Sequence, residues 1–182
     1  GGLWYPKESE VPFTGIAYDI SEVTGSVILE RKYIKGLYSG KYNEWWNNGK
    51  SKIKGTYRNG LMNGRWKFYY ENGEKEKEGT LKNGNAHDKW IFYNDKGKKT
   101  QEGVFDEGLK NGKWIAYFED GKLTEGEYKV GKKDGTWTSW WDYDKTRKEM
   151  QGSYKKGKMV DKWYFYNNKG NLKEIRYFSP VF

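Results

Sequence analysis

Few residues of this chain have the type and spacing that catalysis or metal binding requires. His87 is the only histidine and cysteine is absent, so the chain has no thiolate nucleophile, no disulfide and no Cys-ligated metal. His87 falls in a predicted inter-hairpin turn, at the repeat position of Asn63 and Asn111, which favours a solvated turn residue. A single imidazole without cysteine partners does not make a metal site.

Carboxylate pairs also occur, among them Glu76/Glu78 and Asp142/Asp144. Such pairs are frequent in a chain with 32% charged residues, so they do not single out the acid/base pair of a glycosidase. The glycines are spread along the chain and do not form a phosphate-cradling loop that opens a helix. We therefore predict that the chain is not an enzyme and holds no metal and no cofactor.

Aromatic side chains are the other group able to contact a ligand, and they recur at steps of about 24 residues, the mark of a repeat array. The first ladder follows a Gly-x or Asp-x dipeptide and consists of Tyr42, Trp66, Trp90, Trp114, Trp137 and Trp163. The second ladder lies three residues further on and consists of Trp45, Tyr69, Tyr93, Tyr117, Trp140 and Tyr166. In a regular strand, residues three apart point to opposite faces. We expect one ladder to form the core and the other to be partly open to solvent, as the candidate binding ladder.

Two sets of glycines recur with the ladders. A turn glycine is found at Gly49, Gly73, Gly97, Gly121 and Gly170. A mid-strand glycine is found at Gly55, Gly79, Gly103, Gly126 and Gly152. Because glycine is normally unfavourable inside a strand, the second set predicts that a large neighbouring ring, such as Trp66 or Trp90 at Gly79, lies over the missing side chain.

Each repeat has the pattern of a β-hairpin. The run from Trp66 to Tyr70 is rich in residues suited to a pleated surface, and Asn72-Gly73 predicts a hairpin turn because both residues tolerate positive φ. Asp88 and Asp161 replace the glycine that elsewhere lies two residues before the first-ladder aromatic, which indicates a fixed left-handed backbone at this position. The unit that begins near Gly135 lacks the turn glycine and carries a longer loop.

The predicted fold is therefore all-β, an elongated single antiparallel twisted sheet of about seven stacked hairpin repeats. Residues 1–12 form an N-terminal extension and residues 179–182 a C-terminal tail around an array at 13–178. The predicted units lie near 13–36, 37–60, 61–84, 85–108, 109–131, 132–157 and 158–178.

Segments of the array resemble a known family. The run from Tyr57 to Trp66, with Asn59-Gly60 and Asn63-Gly64, and the run from Tyr70 to Gly73 are similar to MORN repeats, closest to the bacterial variant labelled as a YwqK-type antitoxin. The opening Leu3-Trp4-Tyr5 is similar to the start of those bacterial proteins. The resemblance implies an elongated sheet of stacked hairpins and a role as a scaffold or interaction module.

Binding is thus the predicted function, and several partners stay open. The first hypothesis is a non-catalytic scaffold that meets a protein partner through an aromatic and lysine-rich β surface. One alternative is an extended polysaccharide stacked on the second ladder. Another is an anionic lipid or nucleic acid, which the net charge of +9 would attract. Most of that charge is lysine, which also suits a solvated face, and the scarcity of arginine argues against specific nucleic-acid recognition. We expect a monomer, and an exported compartment is favoured over the cytoplasm, with any export segment absent from this sequence.

Overall fold

The computed structural model describes residues 5–7 and 9–179, so Leu3, Trp4 and the last three residues of the predicted tail lie outside the described residues. Fourteen strands follow one another in a single antiparallel sheet, in chain order, and the predicted all-β fold class is confirmed. Within the described ranges, no helix is long and apolar enough to cross a membrane.

The strands have the following bounds: β1 Gly15–Ile20, β2 Val27–Ile34, β3 Leu37–Trp45, β4 Ser51–Arg58, β5 Leu61–Tyr69, β6 Lys75–Lys82, β7 Asn85–Tyr93, β8 Lys99–Asp106, β9 Leu109–Tyr117, β10 Leu123–Lys129, β11 Lys132–Trp140, β12 Lys148–Lys155, β13 Lys158–Tyr166 and β14 Leu172–Phe178. Two strands fall within each of the seven predicted hairpin repeats.

The chain divides into two compact units, each of which is described by itself. Unit 1 is Gly1–Lys98 and contains β1 to β7, and unit 2 is Lys99–Phe182 and contains β8 to β14. Every strand within a unit pairs antiparallel with the strands before and after it in that unit.

The hairpin connections are of two kinds. Links such as Asn59-Gly60 and Asn83-Gly84 are two-residue turns in which both residues have positive φ, as a type I′ turn requires. At Asn72-Gly73 only Gly73 has positive φ, at 91°. There the Gly73 N–H donates to the Tyr70 carbonyl at 2.9 Å, while the Asn72 side chain accepts a hydrogen bond from the Glu74 N–H. The hairpin turn predicted at Asn72-Gly73 is confirmed, but Asn72 does not adopt positive φ, because its side chain closes a longer turn in which glycine alone enters the left-handed region.

Two other local predictions are confirmed. Asp88 and Asp161 have φ values of 58° and 59°, close to the 74° of Gly64 at the same repeat position. The long loop lies between Trp140, which ends β11, and Lys148, which begins β12. The Trp141 N–H closes this loop by donating to the Arg147 carbonyl at 2.9 Å.

The core of each unit is a row of tryptophans laid over mid-strand glycines. A Cβ atom on Gly79 would lie 2.2 Å from Cδ2 of Trp90, so the ring occupies the space of the missing side chain, as predicted. Trp66 pairs with Gly79 in register, but its ring covers Gly55 on the strand before. Unit 2 repeats the arrangement, for example with Trp137 over Gly126.

This packing buries the tryptophans although the sheet has a single layer. Trp66 and Trp163 are 0% exposed. The indole N–H groups are satisfied within the sheet, since Trp90 donates to the Thr80 carbonyl at 3.0 Å and Trp163 to the Ser153 carbonyl at 3.1 Å. A buried indole needs such a partner, because an unpaired N–H would cost about 1–3 kcal/mol.

Candidate binding surface

The two aromatic ladders lie on opposite faces of the strands. Along β5, Trp66 and Phe68 alternate with Lys67 and Tyr69, and Trp66 contacts the ring of Phe68 at a centroid distance of 6.2 Å. We call the side that carries the first ladder the tryptophan face and the side that carries the second ladder the tyrosine face. The five tryptophans of the first ladder are buried, and every member of the second is half-buried.

On the tyrosine face, carboxylates hold the hydroxyl groups of Tyr93 and Tyr117. In unit 1, Tyr93 Oη donates to Glu78 at 3.0 Å, and Lys75 Nζ lies 2.7 Å from the same carboxylate and 5.2 Å from the Tyr93 ring centroid. The hydrogen bond from Lys75 lowers the pKa of Glu78. These rings are thus tied into a polar network that holds their orientation.

Unit 2 has the same network. Tyr117 Oη donates to Glu102 at 2.7 Å, and burial together with this hydrogen bond raises the pKa of Tyr117 well above its usual value. Lys145, from the long loop, lies 2.7 Å from Glu125, whose other cationic neighbour is Lys113 at 3.1 Å.

The predicted binding ladder is therefore half-open to solvent along its length. The hydroxyls of Tyr93 and Tyr117 have partners within the sheet, whereas the buried indole N–H of Trp140 has none among the described residues.

The tryptophan face carries a second feature. On the strands that bear a first-ladder residue, the side chain two residues further on points to the same face, and together with its partners on the neighbouring strands it forms a cross-strand row. In unit 1 this cross-strand row crosses β3 to β7 as Glu44, Ile53, Phe68, Lys77 and Phe92. The ring of Phe68 lies between Trp66 and Trp90, with centroid distances of 6.2 and 6.4 Å, and Lys77 Nζ lies 4.8 Å from the Phe68 centroid. Large side chains fill the row here.

In unit 2 the same row contains small residues. It crosses β8 to β13 as Gln101, Ala116, Thr124, Ser139, Met150 and Phe165. Thr124 Oγ1 and Ser139 Oγ are 2.7 Å apart and hydrogen-bond each other. The result is a depression of about 280 Å³, which Phe118 and Met150 border.

Two lysines stand at the edge of this depression, at the repeat position of Met62 and Ala86 in unit 1. Lys110 Nζ lies 3.9 Å from the Trp114 ring centroid, and Lys133 Nζ lies 4.1 Å from that of Trp137. Such cation–π contacts contribute about 0.5–1 kcal/mol where solvent is near.

Both ammonium groups lack an anionic partner. Within the part of the chain that the structure describes, Lys110 hydrogen-bonds to the Gln101 side-chain oxygen at 3.0 Å, and neither Lys110 nor Lys133 forms an ion pair. Burial lowers the pKa of both lysines, and the charge of Lys133 lowers that of Lys110 further. The depression thus combines an apolar floor with unneutralised positive charge.

Apart from the two tryptophans of the first ladder, the residues that distinguish this depression were not singled out from the sequence. Ala116 and Ser139 are unremarkable by type, and Lys110 and Lys133 are two lysines among many. The signal that points to them is the break in the repeat, where Phe changes to Ala or Ser and Met or Ala changes to Lys at corresponding positions.

The residues considered for catalysis do not come together. His87 lies in β7 and not in a turn, because the two-residue turn before it ends at Gly84, so the prediction of a turn residue was wrong. Its Nε2 lies 3.7 Å from the carboxylate of Asp88. No group of three or more metal-binding side chains occurs among residues 5–7 and 9–179.

In comparisons with known proteins, no family model matches the chain and no curated protein matches it.

Proposed function

We propose that this chain is a non-catalytic repeat scaffold that binds a protein partner through its aromatic and lysine-rich β surface. The observation that carries the proposal is the interruption of the tryptophan face in unit 2, where small residues open a depression beside Lys110 and Lys133. Exposed apolar surface rimmed by charge is typical of an interaction site.

Because this depression occurs at one place of the cross-strand row and is not repeated in the described strands of unit 1, it favours a protein partner over an extended polysaccharide. An extended polysaccharide needs equivalent contacts at successive repeats, whereas the cross-strand row is open at Ala116 and Thr124 and filled by Phe68 and Phe92 in unit 1. Side chains of a folded or extended polypeptide match a single pocket better than a repeating ligand does.

The family assignment belongs to the same proposal. The recurring Tyr, Gly, Gly and Trp spacing supports a MORN-like repeat protein, a class in which scaffolding is the usual role. The proposal that the chain is of the bacterial, antitoxin-like type rests on the same resemblance, in the segments Tyr57 to Trp66 and Tyr70 to Gly73.

A second candidate is the binding of an anionic polysaccharide or lipid surface. The observation in its favour is the recurrence of lysines over rings in both units, for example Lys54 over Tyr69 and Lys148 over Trp140 on the tyrosine face. These lysines are screened by salt, so this binding would weaken steeply as ionic strength rises.

Photo-crosslinking distinguishes the two candidates. Phe118, which borders the depression and is 48% exposed, is replaced by benzoylphenylalanine in cells of the source organism. We expect one polypeptide adduct, identified by mass spectrometry and confirmed by calorimetry with the purified partner.

The matched control places the same group at Val130, which is 66% exposed in a two-residue turn of the same unit. The partner should not crosslink there. An adduct at Phe118 that is carbohydrate or lipid, or equal polypeptide labelling at both positions, contradicts the protein-scaffold function.

A further inference from the structure

We propose that the depression of unit 2 is a pocket for one aromatic side chain of an acidic peptide segment, with Lys110 and Lys133 binding the carboxylates that flank the ring. This inference rests on the proposed function, since it specifies the chemistry of the protein partner.

The shape of the pocket points to an aromatic ring. The row position of Ala116 and Ser139 holds phenylalanine in the neighbouring repeat of unit 2, Phe165, and in unit 1, Phe68 and Phe92. A ring at this position packs beside the tryptophan of its own strand, as Phe68 does beside Trp66. A partner that supplies the missing ring would complete the row.

The size of the pocket agrees with this. A cavity of roughly 150 Å³ is large enough to bind benzene, and the depression measures about 280 Å³. The floor offers little competition from polar groups, because the Thr124 hydroxyl is engaged at 2.7 Å with the hydroxyl of the buried Ser139 beneath it.

The charge of the pocket points to carboxylates. Lys110 and Lys133 sit on the rings of Trp114 and Trp137 at 3.9 and 4.1 Å, which holds both ammonium groups beside the depression. Each is partly desolvated, and neither is neutralised by an ion pair in the described part of the chain. A ligand carboxylate relieves the repulsion between them and restores the lost solvation, so an acidic segment is preferred over a neutral one.

The test measures fluorescence anisotropy with short labelled peptides. The probe has one phenylalanine flanked by aspartate and glutamate on both sides, and two comparison peptides replace either the phenylalanine with alanine or the acids with serine. We expect the full probe to bind, and each comparison peptide to lose affinity by about tenfold.

Variants place this binding on the protein. Ala116→Phe fills the pocket with the residue of the other repeats and should weaken binding by at least about tenfold, as should the double variant Lys110→Met/Lys133→Ala, which installs the residue types of Met62 and Ala86. Lys77→Met removes a lysine from the same face of unit 1 and should change affinity by less than about twofold. Circular dichroism verifies that each variant is folded, and Thr124→Leu is a second filling substitution should Ala116→Phe fail to fold.

Parent-like binding by a folded, filled variant overturns the inference, as does equal binding of the peptide without phenylalanine. Absence of probe binding to the parent also overturns it. A protein adduct that still forms at Phe118 in that case leaves the scaffold function standing and shows that the pocket chemistry is wrong, whereas loss of the adduct as well removes both.

Discussion

On the tryptophan face, unit 1 and unit 2 share a frame of tryptophans that cover mid-strand glycines, but they differ in the side chains of the cross-strand row. In both, each tryptophan covers a mid-strand glycine, as Trp90 covers Gly79 and Trp137 covers Gly126. The cross-strand row beside this frame is filled by Phe68 in unit 1 and open at Ala116 in unit 2. The packing of tryptophans over mid-strand glycines is therefore common to both units, while the side chains of the cross-strand row differ without disturbing strand pairing.

The largest effect should come from breaking the frame. Gly79→Ala places a Cβ atom 2.2 Å from Trp90, and Gly126→Ala places one 2.3 Å from Trp137, so in both cases the buried ring must move. We expect each to lower the free energy of unfolding by about 3 kcal/mol, measured by denaturant titration.

The matched control is Gly64→Ala, at a position with φ of 74° where a Cβ atom meets nothing within 4 Å. It should cost about 1 kcal/mol, from backbone strain alone. A cost at Gly79 or Gly126 no larger than at Gly64 would show that the tryptophan does not need the glycine, and a large difference between the two units would break the idea of a common frame.

A smaller effect is expected from opening the row in unit 1. Phe68→Ala removes a ring that packs between Trp66 and Trp90 and should lower the free energy of unfolding by about 2 kcal/mol, because the neighbouring rings lose its contacts. Thermal unfolding checks this. The reciprocal Ala116→Phe should not destabilise unit 2, and a loss there as large as at Phe68 would show that the depression is not the space of a missing ring.

The smallest effect concerns Lys110 and its pH dependence. Burial lowers the pKa of Lys110 in the fold, so in the pH range just below the ordinary lysine pKa of 10.5 the unfolded chain binds more protons, and the fold becomes more stable as pH rises. Lys110→Met should therefore remove a desolvation penalty that is present at neutral pH and shrinks as pH rises through this range, so the stability of the parent relative to the variant increases with pH. At pH 7 its stability should lie within about 1 kcal/mol of the parent, since the lost cation–π contact offsets the relief of desolvation.

Denaturant titrations at neutral and alkaline pH measure the difference between parent and variant, which cancels the titration of the tyrosines. Lys77→Met serves as the control for loss of one positive charge from the same face of unit 1. A difference between the parent and Lys110→Met that is independent of pH would contradict the account.

Much of the fold was predictable because its signals are local. The Asn83-Gly84 turn, the left-handed position at Asp88 and the tryptophan over Gly79 all follow from what a backbone position tolerates. The error was local as well, because His87 belongs to a strand that begins immediately after a turn.

The candidate site was less predictable. The ladder Trp45 to Tyr166 was singled out for its regular spacing, yet its hydroxyls at Tyr93 and Tyr117 are held by Glu78 and Glu102, and no periodic pattern reveals such cross-strand partners. The depression arises where the repeat is broken. Lys110 and Lys133 stand out from the other lysines only because strand pairing places the rings of Trp114 and Trp137 side by side beneath them.

The all-β hairpin architecture and the two aromatic ladders follow from the sequence alone, since turn chemistry and side-chain alternation act over a few residues. Which ladder is buried, and where the surface is open, can be read only from the folded structure. These properties depend on register between strands, which sets Trp90 over Gly79 and places Ala116, Thr124 and Ser139 side by side. Burial and electrostatics are sums over such neighbours, and residues distant in the chain supply them.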